Sequence, residues 1–594
     1  MDILEHTYLT SQLFAYIGNK RALLPFLKEQ FEYIGREAGF SMNPADPTSR
    51  PRFYDPFAGT GSASRLARLM GMDVHANDWE DYSRIFNSAY LMEDAQSVER
   101  LFDSAGGLEW VLRELNRYGN RCSADGLDDP ESQAYISKYY APQSTAEADI
   151  SGERLFYTAE NARFIDGVRW KIQNEYPADS RESRLLIALL LYQAGTHANT
   201  SGVFKAYHKG FGGHGKDALQ RILKPMELPY PRLPQRELLP RDQNIRVSSS
   251  DALSISGSSY DMVYLDPPYN QHQYGSNYFM LNSIARWDKP KISTRIGADG
   301  KLTEKAGIRK DWVRTRSDFC YRDLAPDAFQ QLLDSLDAPD ILLSYNSEGI
   351  IPFEQLLEIM SEQGRVEMLT RDYTTYRGGR QSSTRKVGNL EFILHLNRRR
   401  QMTPGAEHRI QELLLMNRLQ RLSAGWFQPE ILSGCFPDKQ LPLLGCCELP
   451  EFFEFSRDDQ AQIRTLASST RNSDNHDNPS FRELKQLVDT LEGAQIQDHA
   501  SRVKVVSGIL QQKHAMMCSG GRPARIQPAR ILPAQIRRYI KTLLWSLKKL
   551  GFRKYAREFD ELEKQLREGI QSGRLPDFSR ELDEAVDRVR PRMR

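Results

Sequence analysis

The chain has 594 residues, 40% of them apolar, with 80 Lys and Arg against 78 Asp and Glu and a formal net charge of +2. That length supports several domains, about three to four on size alone, each able to bury a sizeable core. The charge balance excludes a uniformly cationic nucleic-acid coat, no apolar run of about eighteen residues marks a membrane span, and the first residues lack the apolar core of a secretory leader.

The first informative stretch is Tyr16-Ile17-Gly18-Asn19-Lys20-Arg21, followed by Ala22-Leu23-Leu24-Pro25-Phe26-Leu27. A glycine turn with a lysine ahead of an amphipathic helix can hold a small carboxylate; an ordinary helix start with a solvated Lys fits the same residues. Next comes FYDPFAGTGSASRLARLMG at 53–71. A short strand, Phe53 to Phe57, runs into a glycine loop and then a helix with apolar Leu66, Ala67, Leu69 and Met70. Gly59 and Gly61 permit positive φ and close approach of a ligand to a helix N-terminus. The third glycine of the dinucleotide fingerprint is absent, and no Gly-Lys-Ser/Thr follows, so this is not an ATP phosphate loop. Asp73-Val74-His75-Ala76-Asn77-Asp78 reads as the second strand, ending in a carboxylate spaced to meet ribose hydroxyls; Asp78 as a cap for the next helix is the alternative.

From 93 to about 243 the pattern is mainly helical, with Leu185 to Leu191 as a buried helix leading to Asn199-Thr200-Ser201-Gly202-Val203-Phe204. The loop Lys209-Gly210-Phe211-Gly212-Gly213-His214-Gly215-Lys216 is basic and glycine-rich. It can enter a DNA groove with Lys205, His208, Lys209 and Lys216 on phosphates or base edges; a surface hairpin loop accounts for it equally.

The sheet pattern then resumes. Met262-Val263-Tyr264-Leu265 reads as a buried strand, and Asp266-Pro267-Pro268-Tyr269 stops it, because two prolines cannot continue a central strand. Asp266 and Tyr269 are thereby left at a strand's carboxyl end, where open α/β sheets bind ligands. A carboxylate, a carbonyl freed by proline and an aromatic face suit a flat heterocycle bearing an exocyclic amino group. Asp266 and the carbonyl of Pro267 can accept its two N–H bonds and free the nitrogen lone pair for attack on an electrophilic methyl. Tyr269 can stack on the ring for roughly 1–3 kcal/mol. An adenine in duplex DNA would first have to be flipped out, at a cost of a few kcal/mol. Ile341 to Tyr345 and Glu391 to Leu396 read as later strands, with Asn346 and Glu348 at the end of the first. Between them, 370–385 carries Tyr373, Tyr376, Arg377, Arg380 and Arg385, a composition suited to clamping a nucleic-acid backbone.

The order YIGNKRALL, DPFAGTGS, ND, DPPY resembles the Dam-like class of S-adenosylmethionine-dependent DNA adenine N6-methyltransferases. The stretch DPPYNQHQYGSNYFMLNSIARWD resembles a subgroup that includes modification enzymes of type IIS restriction systems. The likeness covers roughly residues 8 to 398 with long insertions, and Asn19 departs from the glycine frequent there. It implies an α/β fold: a doubly wound, Rossmann-like methyltransferase sheet with a helical insertion and a mainly helical C-terminal extension. It implies S-adenosylmethionine as cofactor and double-stranded DNA as partner. On it, Tyr16, Gly18 and Lys20 match the segment at the cofactor's methionine end, and Asp55, Phe57, Gly59 and Gly61 the glycine loop. Asp78 matches the ribose acid and Asp251 a position near the cofactor's adenine. Asp266, Pro267, Pro268 and Tyr269 match the catalytic motif.

The implied organisation is a cofactor-binding half at 1–92, an insertion for target recognition at 93–243, a catalytic half at 244–398 and a C-terminal helical domain at 399–594 for DNA or a partner. From Lys513 to Arg557 no acid occurs, and Arg525, Arg530, Arg537 and Arg538 are among the twelve Lys and Arg of that stretch, which reads as a loop and a following helix. The helix from Ala534 places Ile536, Ile540, Leu543, Leu544 and Leu547 on one face and cations on the other, which fits phosphate contact; a solvated face balanced by Glu558 to Glu563 fits too. The six cysteines, Cys122, Cys320, Cys435, Cys446, Cys447 and Cys518, show no C-x-x-C spacing, so reduced thiols in a cytoplasmic protein and no metal are expected. Other readings stay open: an RNA adenine methyltransferase, an amide or cytosine methyltransferase, or a methylase fold that only binds DNA. A restriction endonuclease or other defence-system subunit is the expected protein partner.

Overall fold

The computed structural model describes residues 3–13, 20–40, 50–213, 218–255, 257–346, 349–369, 391–422, 427, 481–496, 498–518, 534–551 and 555–593. They fall into two compact units, one ending at Glu407 and the other running from His408 onward.

The first unit is built on seven strands: β1 (Arg52–Asp55), β2 (Asp73–Asn77), β3 (Ile245–Ser248), β4 (Met262–Leu265), β5 (Asp340–Asn346), β6 (Arg365–Leu369) and β7 (Glu391–Asn397). They form one sheet in the order β3-β2-β1-β4-β5-β7-β6. β1 to β5 pair in parallel, and β7 runs antiparallel to both β5 and β6. Strand order therefore reverses between β1 and β4, whose register pairs Tyr54 with Val263. A crevice outside the carboxyl ends of strands at such a switch point is where doubly wound sheets place ligands.

The elements end for local reasons. β1 stops at Asp55, two residues before the Phe57 expected from sequence, because Pro56 has no N–H for the ladder. β4 is buried at every position and stops at Leu265, ahead of Asp266 and the two prolines. β6 was not anticipated; its residues alternate in burial, with Val366 and Met368 inward.

Helix Arg181–His197 starts at Ser180, whose side chain accepts from Ser183 N, and all of Leu185 to Leu191 are buried. A helix apolar all round belongs in an interior, and each such leucine contributes roughly 1.5–3 kcal/mol relative to exposure. It shares one hydrophobic core with helices Leu108–Asp125 and Ala159–Glu175, with helices Asp81–Leu91 and Phe279–Arg286, and with β1, β2 and β4. The inserted helices thus pack as part of the sheet's own core.

The second unit contains helices Phe481–Ala494, His499–Cys518, Ala534–Lys549, Ala556–Gln571 and Ser579–Val589. In Ala534–Lys549, Ile536, Ile540, Leu543, Leu544 and Leu547 are buried, while Arg537 and Lys541 are exposed. The sequence periodicity is realised there.

Candidate active site

At the carboxyl edge of β1, β2 and β4 a cleft opens, lined by Phe57, Asp78, Trp79, Glu80, Asp251, Asp266, Pro268 and Tyr274, and by Thr315, Ser317 and Phe319. Its floor is knit by Asn77. The Asn77 Nδ2 donates to the carbonyls of Pro56 (3.2 Å) and Ser250 (3.0 Å), and Oδ1 accepts from Ser250 N (3.1 Å). One buried amide thereby sets the ends of β1, β2 and β3 against each other.

The glycine loop is held from two sides. Gly59 N donates to Asp78 Oδ2 at 2.8 Å, and Ser83 Oγ and Asn87 Nδ2 donate to Gly59 O at 2.7 and 3.1 Å. Gly59 and Gly61 both have positive φ, and Gly61 caps helix Ser62–Leu69 in the left-handed region. Asp78 also accepts from Glu80 N at 2.9 Å. Burial raises its carboxyl above the usual range against the pull of these two amides.

Asp55 is 2% exposed. Ser64 Oγ donates to its Oδ2 at 2.7 Å, while Oδ1 is buried with no hydrogen-bond partner. Burial pushes its carboxyl up to about 7, and the Asp266 and Asp78 carboxylates push the same way. The Phe57 backbone N–H also bonds this carboxyl and, like Ser64, pulls against the effect of burial. Asp251 stands after β3, accepts from Leu253 N at 3.1 Å and lines the cleft.

The turn after β4 brings Asp266 and Pro268 to the cleft. Asp266 and Tyr269 are half-buried, so both faces of the motif remain reachable. Tyr269 O accepts from Ile350 N at 3.1 Å, and its ring meets Tyr345 edge-on with centroids 6.1 Å apart. Lys20, 5% exposed, places Nζ 3.1 Å from Asp266 Oδ1 and 5.6 Å from the centre of the Tyr269 ring. The N-terminal lysine expected at the cofactor's methionine end therefore stands on the Asp-Pro-Pro-Tyr turn itself.

The structure brings Asp55, Phe57, Gly59, Gly61, Asp78, Asp251, Lys20 and Asp266 to Tyr269 together at one sheet edge. Tyr16 and Gly18 lie outside the described residues, as does Glu348. Sequence reasoning missed Trp79 and Glu80, next to Asp78, and the wall made by Thr315, Ser317 and Phe319. That wall belongs to 310–320, which Gln273 fastens to the loop after Tyr269: its Nε2 donates to Ser317 O at 3.0 Å and its Oε1 accepts from Ser317 N at 2.8 Å. Phe319 then meets Phe57 edge-on at 5.3 Å.

Of the residues expected to touch DNA, Lys205 and Lys209 are exposed on a loop fastened by buried Asn199, whose Oδ1 accepts from Gly212 N at 3.2 Å. Phe204 N donates to Asn277 O at 2.7 Å, which sets this loop beside the segment that follows Tyr269. Arg537 is exposed on its helix, and Arg538 lies in the same helix. Lys216, Arg377, Arg380, Arg385, Arg525 and Arg530 lie outside the described residues. Among the described residues, no helix is long and apolar enough to cross a membrane.

A family model for the D12 class N6 adenine-specific DNA methyltransferases matches residues 16–307. The type II methyltransferase M.NlaIII of Neisseria lactamica is 30% identical over 385 residues, 64% of this chain and 98% of that protein. The modification methylase LlaI of Lactococcus lactis subsp. lactis is 26% identical over 390 residues, 64% of this chain and 54% of that protein. The type II methyltransferase M.FokI of Planomicrobium okeanokoites is 28% identical over 361 residues, 58% of this chain and 48% of that protein. A strand order that reverses beside β4, an Asp-Pro-Pro-Tyr turn at the reversal and a glycine loop facing it agree with these likenesses: the chain belongs to the D12 class of N6 adenine-specific DNA methyltransferases.

Proposed function

We propose that this cleft joins S-adenosylmethionine to an adenine flipped out of double-stranded DNA and methylates its N6. The observation that carries the reading is the meeting of Asp266 and Tyr269 with Asp78 and Asp251 along one strand edge. S-adenosylmethionine supplies, when bound, a methyl group activated by its sulfonium. The residues present fit that cofactor. Asp78 and the Gly59 loop offer a carboxylate for ribose hydroxyls, Phe57 and Trp79 offer apolar faces, and Asp55 offers a buried acceptor for a cationic amino group. On the acceptor side, Asp266 and the Pro267 carbonyl accept the N6 hydrogens and fix the direction of the nitrogen lone pair. Tyr269 holds the ring plane. The rate then comes mainly from alignment of the reacting atoms.

The cell setting we infer is the cytoplasm, with the protein as modification component of a restriction or phage-defence system beside an endonuclease or other subunit. The deciding experiment is transfer of labelled methyl to unmethylated duplex DNA and to RNA, followed by single-molecule sequencing of the methylated DNA. Incorporation into N6 of adenine within one sequence context supports the reading; labelling of RNA alone would replace it.

Asp55 gives a pH test. Its folded carboxyl is raised to about 7 by burial, so the free protein holds it protonated below that pH. Stability of the free protein from this group is full at low pH and declines as pH rises from the unfolded carboxylate range toward about 7. A cationic ligand favours the ionised form, so cofactor binding releases a proton below about pH 7 and tightens with rising pH up to that point. Calorimetry in two buffers of different ionisation enthalpy should detect the release, and Asp55→Asn should remove it. Proton release unchanged in Asp55→Asn would separate Asp55 from the cofactor.

For DNA, replacing Lys205 and Lys209 together by alanine should lower the slope of log affinity against log salt by about two, near one per phosphate contact. The slope can be read from duplex binding between about 50 and 200 mM salt. An unchanged slope would place this loop away from the DNA.

A further inference from the structure

Glu80 has no part in the chemistry above, yet its carboxyl lies where three segments of the cleft meet. It is 2% exposed. Its backbone N ties it to Asp78, and its carbonyl accepts from Ser83 and Arg84 N at 3.0 and 3.1 Å, starting helix Asp81–Leu91. Its side chain turns away from that helix, which it does not cap, and accepts from Asn282 Nδ2 on helix Phe279–Arg286. It also hydrogen-bonds Thr315, whose hydroxyl donates to Trp312 O at 3.2 Å. A Cβ built on Gly275 would fall 2.7 Å from Thr315 Oγ1 and 3.0 Å from Glu80 Oε1, so only glycine lets the chain pass this junction.

A carboxyl so deeply buried is costly unless its partners are fixed. Burial pushes it up to about 7, against the Asn282 and Thr315 bonds and the Arg286 charge. Its hydrogen-bond surroundings suit the neutral acid as well as the anion. In the acid form one oxygen accepts from Asn282 while the hydroxyl donates to Thr315 Oγ1, whose own hydrogen is donated to Trp312 O.

We infer that Glu80 is a positioning residue that holds the 310–317 wall in register with the loop after Tyr269 and so sets the shape of the donor side of the cleft. This rests on the proposed use of the cleft for S-adenosylmethionine. Gln273 fastens the same wall at Ser317, and Glu80 fastens it two residues earlier, at Thr315. Asp78 sits two residues from Glu80 on the ribose side, so a displacement of the wall is felt where the cofactor binds.

The test uses the full-length protein, with S-adenosylhomocysteine as the probe in calorimetry and labelled S-adenosylmethionine with unmethylated plasmid DNA for kinetics. Glu80→Ala should weaken S-adenosylhomocysteine by about tenfold, the net worth of one hydrogen bond to a buried charged group. It should raise the KM for the cofactor by a similar factor while kcat at saturation changes less. Glu80→Gln can accept from Asn282 and donate to Thr315, and should restore affinity to within about twofold. Thr315→Val removes the wall's end of the contact without touching Glu80 and should reproduce most of the alanine defect, which keeps the test usable if Glu80→Ala fails to fold. Wild-type affinity in Thr315→Val, or a defect in Glu80→Gln equal to that of Glu80→Ala, would overturn the inference. Failure of the unaltered protein to bind S-adenosylhomocysteine would instead remove the underlying reading of the cleft.

Discussion

Asp266→Ala is expected to abolish methyl transfer while leaving S-adenosylhomocysteine binding in place. Asp266 begins the turn after β4, and no other described carboxylate stands there with Tyr269 beside it. An aromatic amino group becomes nucleophilic only when acceptors take its hydrogens in a tetrahedral arrangement, and alanine removes the stronger of the two acceptors. Losing one preorganised group of this kind costs about 10²–10³ in kcat, and here the same group also orients the base, so the loss should reach the upper end or beyond. The change also removes the ion-pair partner of Lys20, which is 5% exposed, so thermal unfolding should show some loss of stability, and retained S-adenosylhomocysteine binding is what shows that the fold persists. Asp266→Asn is the sharper control. It keeps size and an accepting Oδ1 but loses the negative charge and one acceptor oxygen, and should be strongly impaired. Labelled-methyl incorporation into unmethylated plasmid DNA measures both; substantial turnover in either variant would remove Asp266 from the reaction.

The sequence carried the site's frame because its signals are local. Pro267 and Pro268 end β4 whatever lies around them, Gly59 and Gly61 mark a loop at a helix start, and the acid of Asp78 closes β2. The rest arises from long-range pairing. Thr315, Ser317 and Phe319 belong to a stretch of short 3-10 turns with no apolar period, and nothing in its composition says that Gln273 will draw it to the cleft. Lys20 reaches Asp266 only once the N-terminal segment packs beside β4. Trp79 and Glu80 adjoin a residue that was singled out, yet a tryptophan and a glutamate after a strand read as an ordinary helix start. β6 could have been found: Val366 and Met368 alternate with charged Arg365 and Glu367, the signature of a half-buried strand.

The second large effect concerns Gly61. Its φ is +76°, and a Cβ built there would fall 2.1 Å from Asn87 Oδ1. Gly61→Ala therefore combines two penalties. The left-handed backbone costs a residue with a Cβ roughly 1–2 kcal/mol. The clash must then displace Asn87, whose Nδ2 holds Gly59 O at 3.1 Å and Ser83 O at 3.0 Å; losing such buried bonds costs about 1 kcal/mol each. Thermal unfolding should show a loss of about 3–4 kcal/mol on that sum. The glycine loop, freed from one of its anchors, should bind S-adenosylhomocysteine at least about tenfold more weakly, the equivalent of one such bond. Gly39→Ala separates the two penalties, because Gly39 has φ +77° with nothing within 4 Å of its built Cβ. It should show the backbone penalty alone and bind cofactor normally. If Gly61→Ala proves no worse than Gly39→Ala in both stability and affinity, then Asn87 does not brace the loop and the close fit of helix Asp81–Leu91 against it has no role in holding the cofactor.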